Sequence, residues 1–98
     1  MIFLLCRNRV TDFYQWKSVF DTMSTERRHA GMHLVNLWRT VDEPNNVFFL
    51  LRLDDVETAR SLLSDPDYIR TGWDAGVIDG DYTYLEDEKD MGSELDAA

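Results

Sequence analysis

The chain has 98 residues, 44% of them hydrophobic and 30% charged, which is the length of one domain rather than two. Nineteen acidic and ten basic residues leave a net charge of −9, which argues against nucleic acid, whose binding rests on phosphate neutralisation, and against anionic membrane surfaces. A single cysteine, Cys6, excludes an internal disulfide framework and a cysteine-based zinc site within one chain. The longest apolar runs, residues 1–6 and 47–51, are too short to span a bilayer. The first of them lacks the basic flank and small-residue cleavage site of a secretory signal, so it reads as a strand and the expected location is the cytoplasm.

Charge is unevenly placed. After Leu85 come Glu86, Asp87, Glu88, Asp90, Glu94 and Asp96 against Lys89 alone. Residues 1–86 therefore read as the one folded domain and 87–98 as an acidic, solvated tail; a docking segment for a basic partner is the alternative.

Residues 2–10 open with an apolar run that does not alternate, as in a strand central to its sheet. Thr11 and Asp12 are helix-capping types, with Gln15 completing a box from Asp12. Phe13, Trp16, Phe20 and Met23 then recur at three- and four-residue steps, predicting one helix that closes on Arg27, Arg28 and His29 and stops at Gly31. Residues 32–41 and 47–53 read as strands joined by a five-residue turn, Asp42-Glu43-Pro44-Asn45-Asn46. Asp54 and Asp55 offer a second N-cap, with Glu57 completing a box from Asp54, ahead of the stripe Val56, Ala59, Leu62 and Leu63. Pro66 breaks that stripe and can open a further helix carrying Tyr68, Ile69 and Trp73, which ends near Gly76. A last strand runs from 77 to 85, with an irregularity expected at Gly80.

This order, βαββαβ, predicts a ferredoxin-like α+β fold: a four-stranded antiparallel sheet with its helices on one face. The other face has no helix to cover it. A five-residue turn pairs Arg39 with Phe49, Leu37 with Leu51 and Val35 with Leu53 on the helix side, with His33 of the same parity. It pairs Thr40 with Phe48, Trp38 with Leu50 and Asn36 with Arg52 on the uncovered side, where Leu34 also falls. Large apolar groups mixed with a few polar ones suit a face covered by a second sheet, so a homodimer forming an α+β barrel is expected, against a monomer with a partly exposed aromatic face.

The stretch Val10-Thr11-Asp12-Phe13, with Trp16-Lys17, Phe20-Asp21, Arg27, Ala30-Gly31, Arg39, residues 42–47, Asp54-Asp55, Ser64-Asp65-Pro66 and Ala75-Gly76-Val77, resembles small bacterial dimeric α+β barrel proteins of the antibiotic-biosynthesis mono-oxygenase-like, stress-responsive or cyclase-like type. The resemblance spans residues 2 to about 86. It implies cofactor-independent oxygenation or cyclisation of an aromatic, polyketide-like molecule, through a carbanion held beside O₂ by Asn, Trp and Arg. Asn36, Trp38 and Arg52 supply those residue types, at a spacing different from that of the better-known enzymes. Haem-degrading relatives use a histidine on the second helix, and residues 55–75 contain none.

The catalytic candidates are therefore Asn36, Trp38 and Arg52, in a pocket expected between sheet and helices at the dimer, with Leu34, Phe48, Leu50, Trp73 and Tyr82 as substrate-binding walls. Each has a plainer role open to it. Arg52 can pair with Asp54, Asn36 can bond neighbouring backbone, Trp38 can anchor a dimer, and Trp73 and Tyr68 can pack helix on sheet. His33 is a possible base, Cys6 reads as a small buried hydrophobe, and His29 and His33 are poor metal ligands with Gly31 between them. No cofactor or metal is expected. The alternative to an enzyme is a non-catalytic homodimer that binds a hydrophobic ligand or acts in stress.

Overall fold

The computed structural model describes residues 1–88; the rest of the acidic segment predicted as a tail lies outside the described residues. Eight elements follow in order: β1 (Ile2–Val10), α1 (Phe13–Thr22), α2 (Ser24–His29), β2 (Met32–Arg39), β3 (Asn46–Leu53), α3 (Val56–Leu63), α4 (Pro66–Asp74) and β4 (Val77–Glu86). The strands form one antiparallel sheet in the order β2-β3-β1-β4, which places β1 inside it as its apolar run predicts. This is the ferredoxin-like α+β arrangement.

Strand pleat divides the sheet into two faces. On β1, Leu4, Cys6, Asn8 and Val10 are buried, and on β3 so are Val47, Phe49, Leu51 and Leu53. These side chains meet the helices. Trp16 stacks on Phe20 with ring centroids 4.8 Å apart, and Phe49 meets Phe20 edge-on at 5.0 Å. Such pairs add about 0.5–1.5 kcal/mol to what their buried area contributes. Ala59 and Ala75 bring α3 and the end of α4 into the same core.

The single long helix expected after Asp12 is two. Asp12 does cap α1, its carboxylate accepting from the Gln15 N–H at 2.9 Å. At the other end the Thr22 hydroxyl donates to the Val19 carbonyl at 2.7 Å, and the Met23 N–H divides between Val19 and Phe20. Side-chain competition of this kind weakens the helical ladder, and α2 starts afresh at Ser24. Of the two aspartates that offer the second cap, one takes it. Asp55, not Asp54, caps α3 by accepting from Thr58, while Asp54 turns toward His33. Asp65 caps α4, with Pro66 opening it.

The predicted hairpin register is shifted. Trp38 pairs with Phe48 and Asn36 with Leu50, two residues from the expected partners, because the connection spans residues 40–45 rather than 42–46. Thr40 closes that longer loop by donating its N–H and hydroxyl to the Asn46 carbonyl. A β-bulge at Val35 then reverses parity toward the start of β2. Leu34 pairs with Leu51, of the helix-side set, and His33 pairs with Arg52 on the uncovered side, the reverse of both expectations. On β4 the irregularity falls at Ile78, which has no partner between Val77 and Asp79, rather than at Gly80.

Gly76 ends α4 with φ 96°, and a Cβ there would clash with the Thr11 hydroxyl oxygen. Gly72, inside α4, is free of both constraints, since its Cβ would lie 3.8 Å from Val77 Cγ2. Gly76→Ala should therefore lower unfolding stability by about 1–3 kcal/mol through backbone strain. Gly72→Ala should raise it by up to about 1 kcal/mol through helix propensity. Urea unfolding of the two variants checks this, and equal shifts would contradict the geometry.

Candidate functional site

The uncovered face is a grid read off the strand pairing. Its first row is His33, Arg52, Phe3 and Leu85; its second is Asn36, Leu50, Leu5 and Thr83; its third is Trp38, Phe48, Arg7 and Asp81. An apolar band thus runs diagonally from Trp38 and Phe48 through Leu50 and Leu5 to Phe3 and Leu85. Two charged clusters flank it. At one corner His33 Nε2 lies 2.7 Å from Asp54 Oδ2, and Arg52 Nη2 lies 3.8 Å from Asp54 Oδ1. The hydrogen bond from His33, with the charges of His33 and Arg52, holds the Asp54 carboxyl below the usual carboxylate range. Arg52 Nε is buried with no hydrogen-bond partner among the described residues. At the opposite corner Asp79 binds both Arg7 and Arg9, and Asp81 binds Arg7.

A cavity of about 470 Å³ lies on the other side of the sheet, beneath the helices. Trp16, Phe20 and Phe49 form one wall, and Tyr68, Trp73 and Tyr82 form another. Trp73 is 58% exposed and so stands at the opening. Three polar side chains of the core border the space: Cys6, Asn8 and Arg27. Arg27 is only 4% exposed, and its guanidinium carbon sits 3.7 Å above the centre of the Phe20 ring. Among the described residues no carboxylate pairs with it; the polar group that meets it is the Tyr68 hydroxyl.

Titration in the cavity follows burial. Desolvation pushes the Cys6 thiol up to about 12, with the Arg27 charge pulling weakly the other way. Desolvation likewise raises the Tyr68 phenol, against the opposing charge and hydrogen bond of Arg27. Tyr82, crowded by Cys6, Tyr68 and Tyr84, is pushed up to about 12, again chiefly by desolvation. Both phenols are therefore neutral hydrogen-bond donors near pH 7. Among the described residues no histidine borders the cavity; Asp79 borders it, but its carboxylate is engaged by Arg9 and Arg7 on the opposite face, which hold it below the usual range. Among the described residues no cluster of His, Cys, Asp or Glu is placed to hold a metal ion, and no helix is long and apolar enough to cross a membrane.

The residues predicted from sequence fall into two groups separated by the sheet. Asn36, Trp38, Phe48, Leu50 and Arg52 share the uncovered face, where Trp38 is 45% exposed and Asn36 accepts from the Leu37 N–H at 2.8 Å. Trp73 and Tyr82 line the cavity beneath the helices. Leu34 belongs to neither group; it lies exposed on the edge strand. Sequence reasoning did not single out Arg27 or Asn8 as site residues. The available signal was Arg27 itself, which stands four residues after Met23 on the stripe of Phe13, Trp16 and Phe20, where an apolar side chain belongs.

No protein-family model and no curated protein matches the sequence. Solved structures match its fold closely. The cofactor-independent oxygenase SnoaB of Streptomyces nogalater superposes with a TM-score of 0.69 at 16% identity, covering 93% of this chain and 96% of that one. A protein described as a candidate antibiotic biosynthesis mono-oxygenase from Bordetella bronchiseptica gives 0.70 at 12% identity, covering 89% and 96%. An uncharacterised NIPSNAP domain protein from Burkholderia xenovorans gives 0.65 at 14% identity, covering 92% and 97%. At these identities the likeness is one of fold.

The Cys6 environment makes a direct prediction. At pH 8 the thiol should resist a disulfide reagent such as DTNB in the native protein and react fully once the chain is unfolded in guanidinium, because only the unfolded thiol ionises near its ordinary value. Rapid native labelling would place Cys6 outside the core.

Proposed function

We propose that this protein is a small-molecule enzyme of the antibiotic-biosynthesis mono-oxygenase type, acting in the cytoplasm without a cofactor on a flat aromatic, polyketide-like substrate. One observation carries the reading: an aromatic-walled cavity of about 470 Å³ between sheet and helices, bordered by only a few polar groups. Cavities of this size hold drug-sized molecules, and a few placed polar groups fix their orientation. SnoaB, which shares the fold, is an oxygenase that needs no cofactor.

Such a reaction draws its reactivity from the substrate. An enolisable phenol loses a proton, and the resulting anion gives electrons to O₂. A carbon–oxygen bond forms, the O–O bond breaks, and one oxygen remains on carbon as a carbonyl. The other leaves as water with the two hydrogens lost from that carbon. The protein's part is to orient the ring between its aromatic walls, exclude bulk water and donate hydrogen bonds to the substrate oxygen from Tyr68 and Tyr82. The opening beside Trp73 is the route by which the proton reaches solvent. Among the described residues no free base lines the cavity, which favours a second reading, a non-catalytic binder of the same class of ligand.

The uncovered face supports the homodimer. Covering Trp38, Phe48, Leu50 and their neighbours with a second sheet gains about 1.5–3 kcal/mol for each large side chain taken fully out of water. In this reading Trp38 is an anchor of the interface, and Asn36 and Arg52 lie at or beside it.

Two measurements test these readings. With anthrone as substrate, an oxygen electrode should record one O₂ consumed per anthrone. Tyr82→Phe should slow uptake by about tenfold or more, the loss expected for one hydrogen bond to a charged oxygen. Arg52→Ala, on the far face, should stay within about twofold of wild type; absence of wild-type uptake would leave the binding reading alone. Light scattering at moderate salt should give the mass of two chains, and Trp38→Glu should give one. A wild-type monomer at high micromolar concentration would remove the dimer.

A further inference from the structure

We infer that the ligand of the cavity is a monoanion, and that Arg27 receives its negatively charged oxygen. The inference rests on the cavity being the ligand site. Its basis is an imbalance within that cavity. Arg27 is 4% exposed, yet no carboxylate of the described residues compensates its charge, and Tyr68, its polar neighbour, is neutral. Stacking on Phe20 fixes the plane of the guanidinium and leaves its hydrogen-bonding edge free of that ring. A cation taken out of water without a partner is strongly disfavoured, and proteins keep one where a ligand completes it. Asn8, 9% exposed, adds an amide to the same space.

The chemistry of the lining narrows the ligand. Among the described residues Arg27 is the only cation whose side chain borders the cavity, so the charge match is one negative charge rather than a phosphate dianion. The remaining walls are aromatic and aliphatic, so the body of the ligand is flat and apolar. Its head is an anionic oxygen that a planar guanidinium can meet, either a carboxylate or an ionised phenol or enol.

Fluorescence titration with three anthracene probes tests the inference: 2-anthracenecarboxylate, the neutral 2-anthracenemethanol, and 2-anthrol, whose absorption reports its ionisation. The wild type should bind the carboxylate about tenfold or more tightly than the alcohol, or should bind 2-anthrol in its ionised form near pH 7; which of the two occurs identifies the head group. Arg27→Met, which retains the length of the stem over Phe20, should abolish the preference, and Arg27→Lys should keep part of it. Thermal melting supplies a readout that a structural role would reverse. Arg27→Met should melt no lower than wild type, because it removes an uncompensated buried charge; a markedly lower melting point would mark Arg27 as structural and overturn the inference. Equal wild-type binding of carboxylate and alcohol, with 2-anthrol bound neutral, would also overturn it while leaving the cavity as a ligand site. Failure of all three probes to bind would overturn the cavity reading itself.

Discussion

The alternation of β1 and β3 sets everything else in this molecule. Their side chains at Leu4, Cys6, Asn8 and Val10, and at Val47, Phe49, Leu51 and Leu53, are committed to the helices. Those between them, from Phe3 to Arg52, are committed to the other face. A sheet four strands wide with helices on one side has two surfaces of opposite character: one roofed and able to enclose a space, the other apolar and open. The cavity and the apolar band are consequences of one pleat, and a residue takes part in one or the other by parity alone.

Within the roofed layer, packing is incomplete by design of its residues. Trp16, Phe20 and Phe49 fill the ground between α1 and the sheet, but a cavity edged by Tyr68, Ile69 and Trp73 of α4 is left unfilled by the described residues. A core of this size ordinarily closes such a gap, since a void forfeits dispersion contacts on its lining. Retaining it together with a buried guanidinium sets stability against function, the pattern expected of a binding site.

Much of this was legible in the sequence, for physical reasons that can be stated residue by residue. The β3 segment alternates strictly, so the side of Phe48, Leu50 and Arg52 follows from any plausible register, and the two-residue shift of the hairpin left it unchanged. Pro66 and the aspartates before the helices announce their starts because they satisfy orphan amides or cannot continue a helix. What was not legible depended on a single inserted residue or on context. Leu34 and Val35 are both good strand formers, and nothing in them signals a bulge that sends His33 to the face opposite the one its number predicts. Arg27 reads as a cation at a helix end, where cations are common. Only the fold shows that its place on the apolar stripe carries it beneath α4. The sheet also parts residues that composition had grouped: Trp73 and Tyr82 on one side, Asn36, Trp38 and Arg52 on the other.

The three tryptophans stand in three different places, which makes one experiment decisive. Trp16 lies inside the cavity, Trp73 at its opening and Trp38 across the sheet. Their indole N–H signals can be followed separately by ¹⁵N–¹H NMR while 2-anthracenecarboxylate is added. Movement of the Trp16 and Trp73 signals in step with saturation, with Trp38 unmoved, is the result predicted here. A response confined to Trp38 would place the ligand on the helix-free face and contradict the account.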